Sequence, residues 1–482
     1  MKPKKIFKEP FIGTSVTGDV TLLHSTNGNF STIIAIENTA MQYGADPNAY
    51  ESYHTCFGQI IKLLTDNYIL QKTDIIAIKE YQPPEDQHTD YLSQKYFAHF
   101  KGRKYRDVQT YLTITKQSNR QKFFSYSEKD TKDFCNNISK VIDTLASYGI
   151  KTNPLDEQAI SQLHRNYLAF NFSEPAFSIG NIACDKSGLD FGEKSMRVIS
   201  VVDPEYMNLP NQMSAFRTGA QSISGFPSDN FSFLLDVPDA DTIVYNQVVF
   251  IPDQMKVKKD MELKKKRHSS MPDPENKLSV NDIEDMFIDI AQNNELIVKA
   301  HLSILVASDP KKLARVCNTI DTHLFGLGII PGRNTYNQME LFRAAIPGNA
   351  DELKIWDKFT VSRPAALCFF FKENLMETED SDYLLYFTDR QGIPIGVDPS
   401  EKVMQSGRIN SRNRFVLGPS GSGKSFLMNS YLKQTYDQGA DIIIVDTGHS
   451  YSGLCSYLGG KYITYSEERP ITMNPFKIEQ LS

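Results

Sequence analysis

No stretch of this 482-residue sequence is long and apolar enough to cross a bilayer as a helix. The best runs, 296–307 and 365–371, are short, and Lys299 and His301 interrupt the first, so both read as core segments. The opening Met1-Lys2-Pro3-Lys4-Lys5 is basic but has no apolar run behind it, which excludes a secretory signal at this position. The expectation is a cytoplasmic protein, with peripheral docking at the inner face of the cytoplasmic membrane left open. Cysteine is scarce: Cys56, Cys135, Cys184, Cys317, Cys368 and Cys455 are scattered without a C-x-x-C pair, which argues against structural zinc and against a disulfide framework. Most are expected as buried thiols. The nine histidines show no H-E-x-x-H spacing. Excess positive charge is also missing. Fifty-two Lys and Arg face 58 Asp and Glu, for a net −6, so composition gives no support for DNA contact, although a local contact stays open. No internal period suggests a repeat array.

What remains is ordinary soluble composition, 40% apolar and 23% charged, on a chain long enough for two or three domains. Apolar residues fall at helical spacing over 50–67 and over 127–148, where Phe134, Ile138, Val141, Ile142 and Leu145 share one face. Strand-like runs occupy 20–24, 32–36, 74–80, 107–116, 196–202 and 242–251, and Asn27-Gly28 fits a tight hairpin turn. Further on, 280–293 reads as a helix capped by Ser279, 296–307 as a strand, 309–324 as a helix with Pro310 in its first turn, and 334–345 as a helix. Residues 219–230 read as a Gly/Ser-rich loop and 268–277 as a polar loop containing proline. This is an α+β pattern. An acidic stretch at 373–382 reads as a linker, and beyond it the pattern changes to α/β, with strands at 413–417, 441–446 and 461–465 and a helix at 450–458.

Between the first of those strands and a helix over 426–438 stands Gly418-Pro419-Ser420-Gly421-Ser422-Gly423-Lys424-Ser425. It matches G-x-x-x-x-G-K-[ST] at every fixed position, in the strand–loop–helix context that gives the pattern its meaning. Glycines let backbone N–H groups turn inward around phosphate oxygens, and the helix start adds a partial positive charge. Gly418 to Ser425 and the adjoining Phe426 are therefore the candidate ATP-binding residues. Lys424 is the candidate catalytic residue, reaching the β- and γ-phosphates, and the Ser425 hydroxyl is the candidate Mg²⁺ ligand. The bland alternative is a glycine turn that happens to end in Lys-Ser. The motif sits late, ending at residue 425 of 482, with little chain after it for the Walker B strand that orders Mg²⁺. Asp446 ends an apolar run and imitates Walker B, but Thr447-Gly448-His449 follow it with no glutamate. The reading preferred for Asp446 is a strand-end or turn-capping residue.

Several further features have both a functional and a bland reading. The segment 256–267 carries Lys256, Lys258, Lys259, Lys264, Lys265, Lys266 and Arg267, diluted by Asp260 and Glu262. It is either a phosphate-contacting face or, as preferred, a solvated helical arm, since no aromatic residue interleaves. Arg103-Lys104-Tyr105-Arg106 is a weaker version of the same case. Phe369-Phe370-Phe371 reads as a buried strand rather than a docking patch, and Trp356 as a packing residue.

The chain resembles the conjugative-transposon TraG family, the assembly ATPases of type IV secretion and conjugation systems. The residues that carry the resemblance are the stretch from Lys4-Lys5-Ile6-Phe7 to Tyr81, Asn337-Gln338-Met339-Glu340-Leu341-Phe342-Arg343 with Ile346-Pro347-Gly348, the P-loop, and then Asp446, Tyr451-Ser452-Gly453-Leu454 and Asn474-Pro475-Phe476. The resemblance implies an opening module over 1–80, the rest of an α+β docking and assembly domain over 81–385, and the first, incomplete part of an α/β RecA-like P-loop NTPase domain over 386–482. It implies ATP and Mg²⁺ as cofactors, a homohexamer in the full-length family, and channel proteins of the secretion apparatus as partners. Family members carry Walker B and an arginine finger beyond the length seen here, so the expectation is ATP binding without hydrolysis by this chain alone. The alternative is a non-catalytic docking and oligomerisation module.

Overall fold

A computed structural model describes residues 7–64, 66–84, 90–118, 127–176, 182–185, 188–201, 209, 213–219, 225–271, 273–332, 337–405, 407 and 409–468. It divides into two compact units. One is Met1–Gln87 with Lys101–Met376, and the other is His88–Phe100 with Glu377–Ser482.

The first unit is built on one 12-stranded sheet, antiparallel at every pairing. In chain order, with α2 belonging to the second unit, the first strands and helices are β1 (Phe11–Thr17), β2 (Val20–Ser25), β3 (Phe30–Ile36), β4 (Ala40–Met41), α1 (Pro47–Leu63), β5 (Tyr68–Glu80), α2 (Tyr91–Phe100), β6 (Lys104–Lys116) and α3 (Glu128–Ser147). Then come β7 (Thr152–Pro154), α4 (Glu157–Ala169), β8 (Ile182–Cys184), β9 (Leu189–Phe191), β10 (Lys194–Ser200), β11 (Thr242–Ile251), α5 (Gln254–Ser269) and α6 (Pro274–Asn293). The unit closes with β12 (Ile297–Ser308), α7 (Leu313–Gly326), α8 (Gln338–Ala345), β13 (Phe359–Ser362), α9 (Arg363–Leu367) and β14 (Glu373–Asn374). The main path of the sheet runs β1-β2-β3-β6-β5-β11-β12-β10-β9-β8, with β13 on β12 and β7 on β3. At the β2–β3 hairpin the expected turn forms, with Gly28 at φ +82 and Ser25 exchanging bonds with Gly28 and Asn29.

The apolar strand runs follow from the covering of both faces. Neighbouring residues of a strand point opposite ways, and here each direction meets a core. Ile34, Leu70, Ile76, Leu112, Ile243 and Tyr245 join one cluster with α1, α3, α7 and α9. Ile33, Ile69, Ile75, Val244, Val248 and Leu305 join another with α4 and α8. Burying each such side chain contributes roughly 1.5–3 kcal/mol. The α+β reading therefore holds for this part. The boundary read at residue 80 falls at the end of β5, whose entire length pairs with β6.

Several expectations are corrected in detail. The cap of α6 is Asp273, whose carboxylate accepts from the Asn276 amide, with Pro274 in the first turn; Ser279 lies inside the helix. Most of the loop read at 268–277 is thus the ends of α5 and α6, which form a hairpin around Val257 and Ile290. Helix α7 begins after Pro310, at Leu313, and α8 at Gln338. Phe369, Phe370 and Phe371 are buried as expected but follow α9 in a turn rather than a strand. Trp356 is more exposed than buried, in a short 3-10 turn. Cys56, Cys317 and Cys368 are buried, Cys184 is exposed, and none of the six cysteines forms a disulfide.

The second unit contains the hairpin β15 (Leu385–Thr388) and β16 (Pro394–Val397), then α10 (Glu401–Gln405), α11 (Lys424–Asp437) and α12 (Ser452–Tyr457), and it includes α2. The strands read at 413–417, 441–446 and 461–465 are not formed: these segments take part in no ladder. Phe415 is 87% exposed, Leu417 84%, Ile443 94% and Val445 97%. A parallel strand is held by neighbours on its edges and layers on its faces. Among the described residues none pairs with these segments, so the apolar run that reads as doubly buried faces solvent.

Candidate nucleotide-binding site

The loop 418–425 has the backbone its glycines permit. Gly421 and Gly423 adopt φ of +80 and +88, where a Cβ is strained, and Gly423 caps the start of α11. At Gly418 a Cβ would stand 2.5 Å from Ser422 Oγ, a hydroxyl free to rotate away. Lys424 is the first residue of α11. Its ammonium folds back and donates to the carbonyls of Gly418 at 2.6 Å and Pro419 at 2.8 Å, spanning the loop's mouth. Pro419, Ser420, Gly421, Ser422, Gly423, Ser425 and Phe426 are exposed, and Gly418 is half-buried. The first turn of a helix leaves N–H groups without intrahelical acceptors. The site thus gathers an ammonium, a helix start and an exposed hydroxyl on one glycine-rich loop, a set of groups that fits a phosphate chain with its magnesium.

Asp446 caps a turn. Its carboxylate accepts from the amides of Ser450 at 2.7 Å and Gly448 at 3.2 Å, and His449 takes φ +55 within that turn. Asn429 of α11 donates both to Ser425 carbonyl (2.8 Å) and to Ser450 carbonyl (3.2 Å), tying this turn to the beginning of the phosphate-loop helix. Ahead of the loop, Arg414 stacks over the Tyr431 ring at 5.2 Å and donates to the Pro399 carbonyl at 2.8 Å.

The far half of α11 carries residues that sequence reasoning missed. Gln434 accepts from the Tyr386 amide at 2.6 Å and donates to the Tyr386 carbonyl at 3.2 Å, adding α11 to β15. Lys433 is 7% exposed and bonds Asp90, Ser93 and Asp437. Burial would raise the Asp90 pKa, but the bonds from Lys433 and Ser93 outweigh it and bring it to about 2. A lysine in a helix otherwise rich in polar residues gives no sequence signal of burial. Its partners Asp90 and Ser93 lie more than three hundred residues away.

The other sequence candidates stay apart from this loop. The basic segment 256–267 is α5, paired with the more acidic α6 through Lys265 and Glu284 at 2.7 Å; Val257 is its one fully buried residue. Arg103 precedes β6 and Lys104 to Arg106 open it, and the Arg106 guanidinium donates to the Val237 carbonyl. Arg343 makes a two-toothed pair with Glu352 and covers the Phe7 ring, and the Gly348 amide donates to Gln71 at 3.1 Å. Lys4, Lys5 and Ile6, and Asn474-Pro475-Phe476, lie outside the described residues.

A second polar cluster, also missed, is buried within the first unit. Lys72 and Asp74 form an ion pair with both side chains fully enclosed, and Asp74 also accepts from Asn38, Thr110 and Gln247. Lys372 pairs with Asp229 at 3.4 Å. Glu373 Oε1 accepts from Tyr50 hydroxyl and the Asp229 amide, while its Oε2 has no partner. Asp74 sits in a segment that reads from sequence as a strand, Asp229 in one read as a Gly/Ser-rich loop, and Glu373 in one read as a linker.

Comparison with known proteins agrees with the site. The TraG P-loop domain family matches residues 385–482. The chain is 25% identical over 199 residues to the type IV secretion system protein virB4 of Bartonella henselae, covering 40% of this chain and 24% of that protein. It is 24% identical over 202 residues to the virB4 protein of Bartonella quintana, covering 41% and 25% respectively. The matches span about a quarter of the length of these relatives. Among the described residues no helix is long and apolar enough to cross a membrane. The resemblance read from the sequence is thus supported over residues 385–482, which match the TraG P-loop domain, in a chain similar to type IV secretion proteins of the virB4 kind.

Proposed function

We propose that this chain binds ATP with Mg²⁺ at Gly418–Ser425 and serves a type IV secretion or conjugation apparatus as a TraG-like ATPase subunit. The observation that carries the reading is the Lys424 ammonium, drawn across the loop onto the Gly418 and Pro419 carbonyls. A cation that bridges its own loop carbonyls stands where a phosphate chain would enter, and exchanging those carbonyls for phosphate oxygens gives it stronger, charge-assisted partners. Backbone amides at the start of α11 would take the phosphate oxygens, and the Ser425 hydroxyl would take one magnesium position. Asp446 holds its own turn, so no acidic residue described near the loop fills the Walker B role, and binding without turnover by this chain is the reading adopted. We propose a cytoplasmic location at the base of a transfer channel, hexamer formation in the longer protein, and powering of channel assembly or DNA transfer as its role.

The test is binding of a fluorescent ATP analogue with and without Mg²⁺. Lys424→Ala is expected to abolish binding, and Ser425→Ala to abolish its Mg²⁺ dependence. Equal binding by wild type and Lys424→Ala refutes the site. One observation favours the second reading, a docking and oligomerisation module. The described strands of the first unit pair in one sheet packed on two cores, while the expected strands of the P-loop unit are unpaired. That reading expects capture of secretion-system membrane proteins by wild type and Lys424→Ala alike, and capture that requires ATP counts against it.

A further inference from the structure

Helix α2 departs from the chain order of the fold. Its sequence lies between β5 and β6, which pair from Tyr68↔Lys116 to Glu80↔Lys104. The ladder continues past the strands, with Tyr81 donating to the Arg103 carbonyl at 2.8 Å and Gly102 donating to the Tyr81 carbonyl at 2.9 Å. Only Lys101 stands between this ladder and Phe100, the last residue of α2. Yet α2 folds with the P-loop unit. Phe97 and Phe100 are buried there, and the Phe97 ring meets Tyr386 of β15 edge-to-face at 4.9 Å.

The polar anchor of α2 is Lys433. Its ammonium donates to Asp90 at 2.8 Å, Ser93 Oγ at 2.6 Å and Asp437 at 2.6 Å, so all three of its donors are used. Asp90 in turn accepts from the Leu92 and Ser93 amides and caps α2. A buried ammonium is tolerated only with such a full set of partners, and removing one leaves an uncompensated charge. Lys433 and Lys424 belong to the same helix, α11, about 13 Å apart along its axis. An unbroken helix moves as one body, so a displacement at the phosphate loop reaches Lys433.

We infer that Lys433 and Asp90 are a positioning pair that makes α2 a coupling arm, through which phosphate occupancy of the loop is passed to the end of the β5–β6 ladder. The arm meets the ladder through the single residue Lys101, which precedes Gly102. Motion of α2 is therefore delivered at Gly102 and Arg103. This inference rests on nucleotide binding at Lys424.

The test is hydrogen exchange on the full chain, with and without a non-hydrolysable ATP analogue and Mg²⁺, alongside direct measurement of analogue binding. In wild type the analogue slows exchange at the start of α11 and also changes exchange over 101–108. Lys433→Met and Asp90→Asn keep the first response and lose the second. Asparagine retains a capping oxygen while removing the charge, which separates the ion pair from the cap. Lys433→Arg restores the response at 101–108. A merely structural pair would alter exchange equally with and without analogue. The inference is overturned if the 101–108 response survives in both variants, or is missing from a wild type that binds the analogue. A wild type that does not bind it overturns the nucleotide reading and this one together.

Discussion

Replacing Glu373 by glutamine should flatten one component of this protein's stability against pH. The Glu373 carboxyl is fully enclosed; Oε1 accepts from Tyr50 hydroxyl at 2.8 Å and the Asp229 amide at 2.6 Å, and Oε2 has no partner. Burial and then the Asp229 charge raise its pKa, the Asp229 amide, Tyr50 and Lys372 lower it, and the outcome is about 7 against an ordinary 4.5. Below 4.5 both folded and unfolded chains carry the proton. Between 4.5 and 7 the folded chain keeps it and the unfolded chain releases it, so stability falls as pH rises and the loss is complete above 7. At about 1.4 kcal/mol per unit, the loss is on the order of 3 kcal/mol. His54, His164 and His301 act oppositely: burial, their leading cause, lowers each to about 4, so each costs stability as pH falls from 6.5. The wild-type profile is therefore a sum, and the difference between variant and wild type isolates Glu373. The assay is urea unfolding followed by far-ultraviolet circular dichroism from pH 5 to 8. The stability of Glu373→Gln relative to wild type is expected to rise by about 3 kcal/mol across that range. A difference that stays constant with pH refutes the argument.

Other consequences are as direct. Leu305→Ala, a fully buried side chain at the centre of the sheet, should lower stability by roughly 2–5 kcal/mol in urea unfolding, since both faces are packed and collapse poorly. Gly423→Ala should weaken binding of the ATP analogue, because φ +88 costs a side chain roughly 1–2 kcal/mol and the loop would relax from its curvature. Limited proteolysis should cut 390–482 before the large sheet, given the exposure of Phe415, Ile443 and Val445. Survival of that region while the sheet is digested would contradict the packing described here.

Local chemistry was readable directly from the chain. The loop 418–425 announces itself because its glycine spacing, lysine and serine form a short local pattern that needs no distant packing to be recognised. The helices at α1 and α3 and the strand at β11 were equally legible, since one packed face imposes a period of 3.6 and a pleated strand between two cores imposes an apolar run. Caps were less legible, because Ser279 and Asp273 are both capable residues and only the hydrogen bond to Asn276 chooses between them. What sequence could not supply were the partnerships made across long separations. Lys433 with Asp90, Lys372 with Asp229, and Tyr50 with Glu373 are each a pair of ordinary polar residues far apart in the chain. Their burial depends on enclosure by elements that no local pattern describes. The same holds for the apolar segments 413–417 and 441–446: their composition is that of strands, but a strand exists only where a neighbour accepts its hydrogen bonds. Sequence alone therefore determined the phosphate loop and the periodicity of the elements, while tertiary structure decided which charges are buried and which apolar runs are paired.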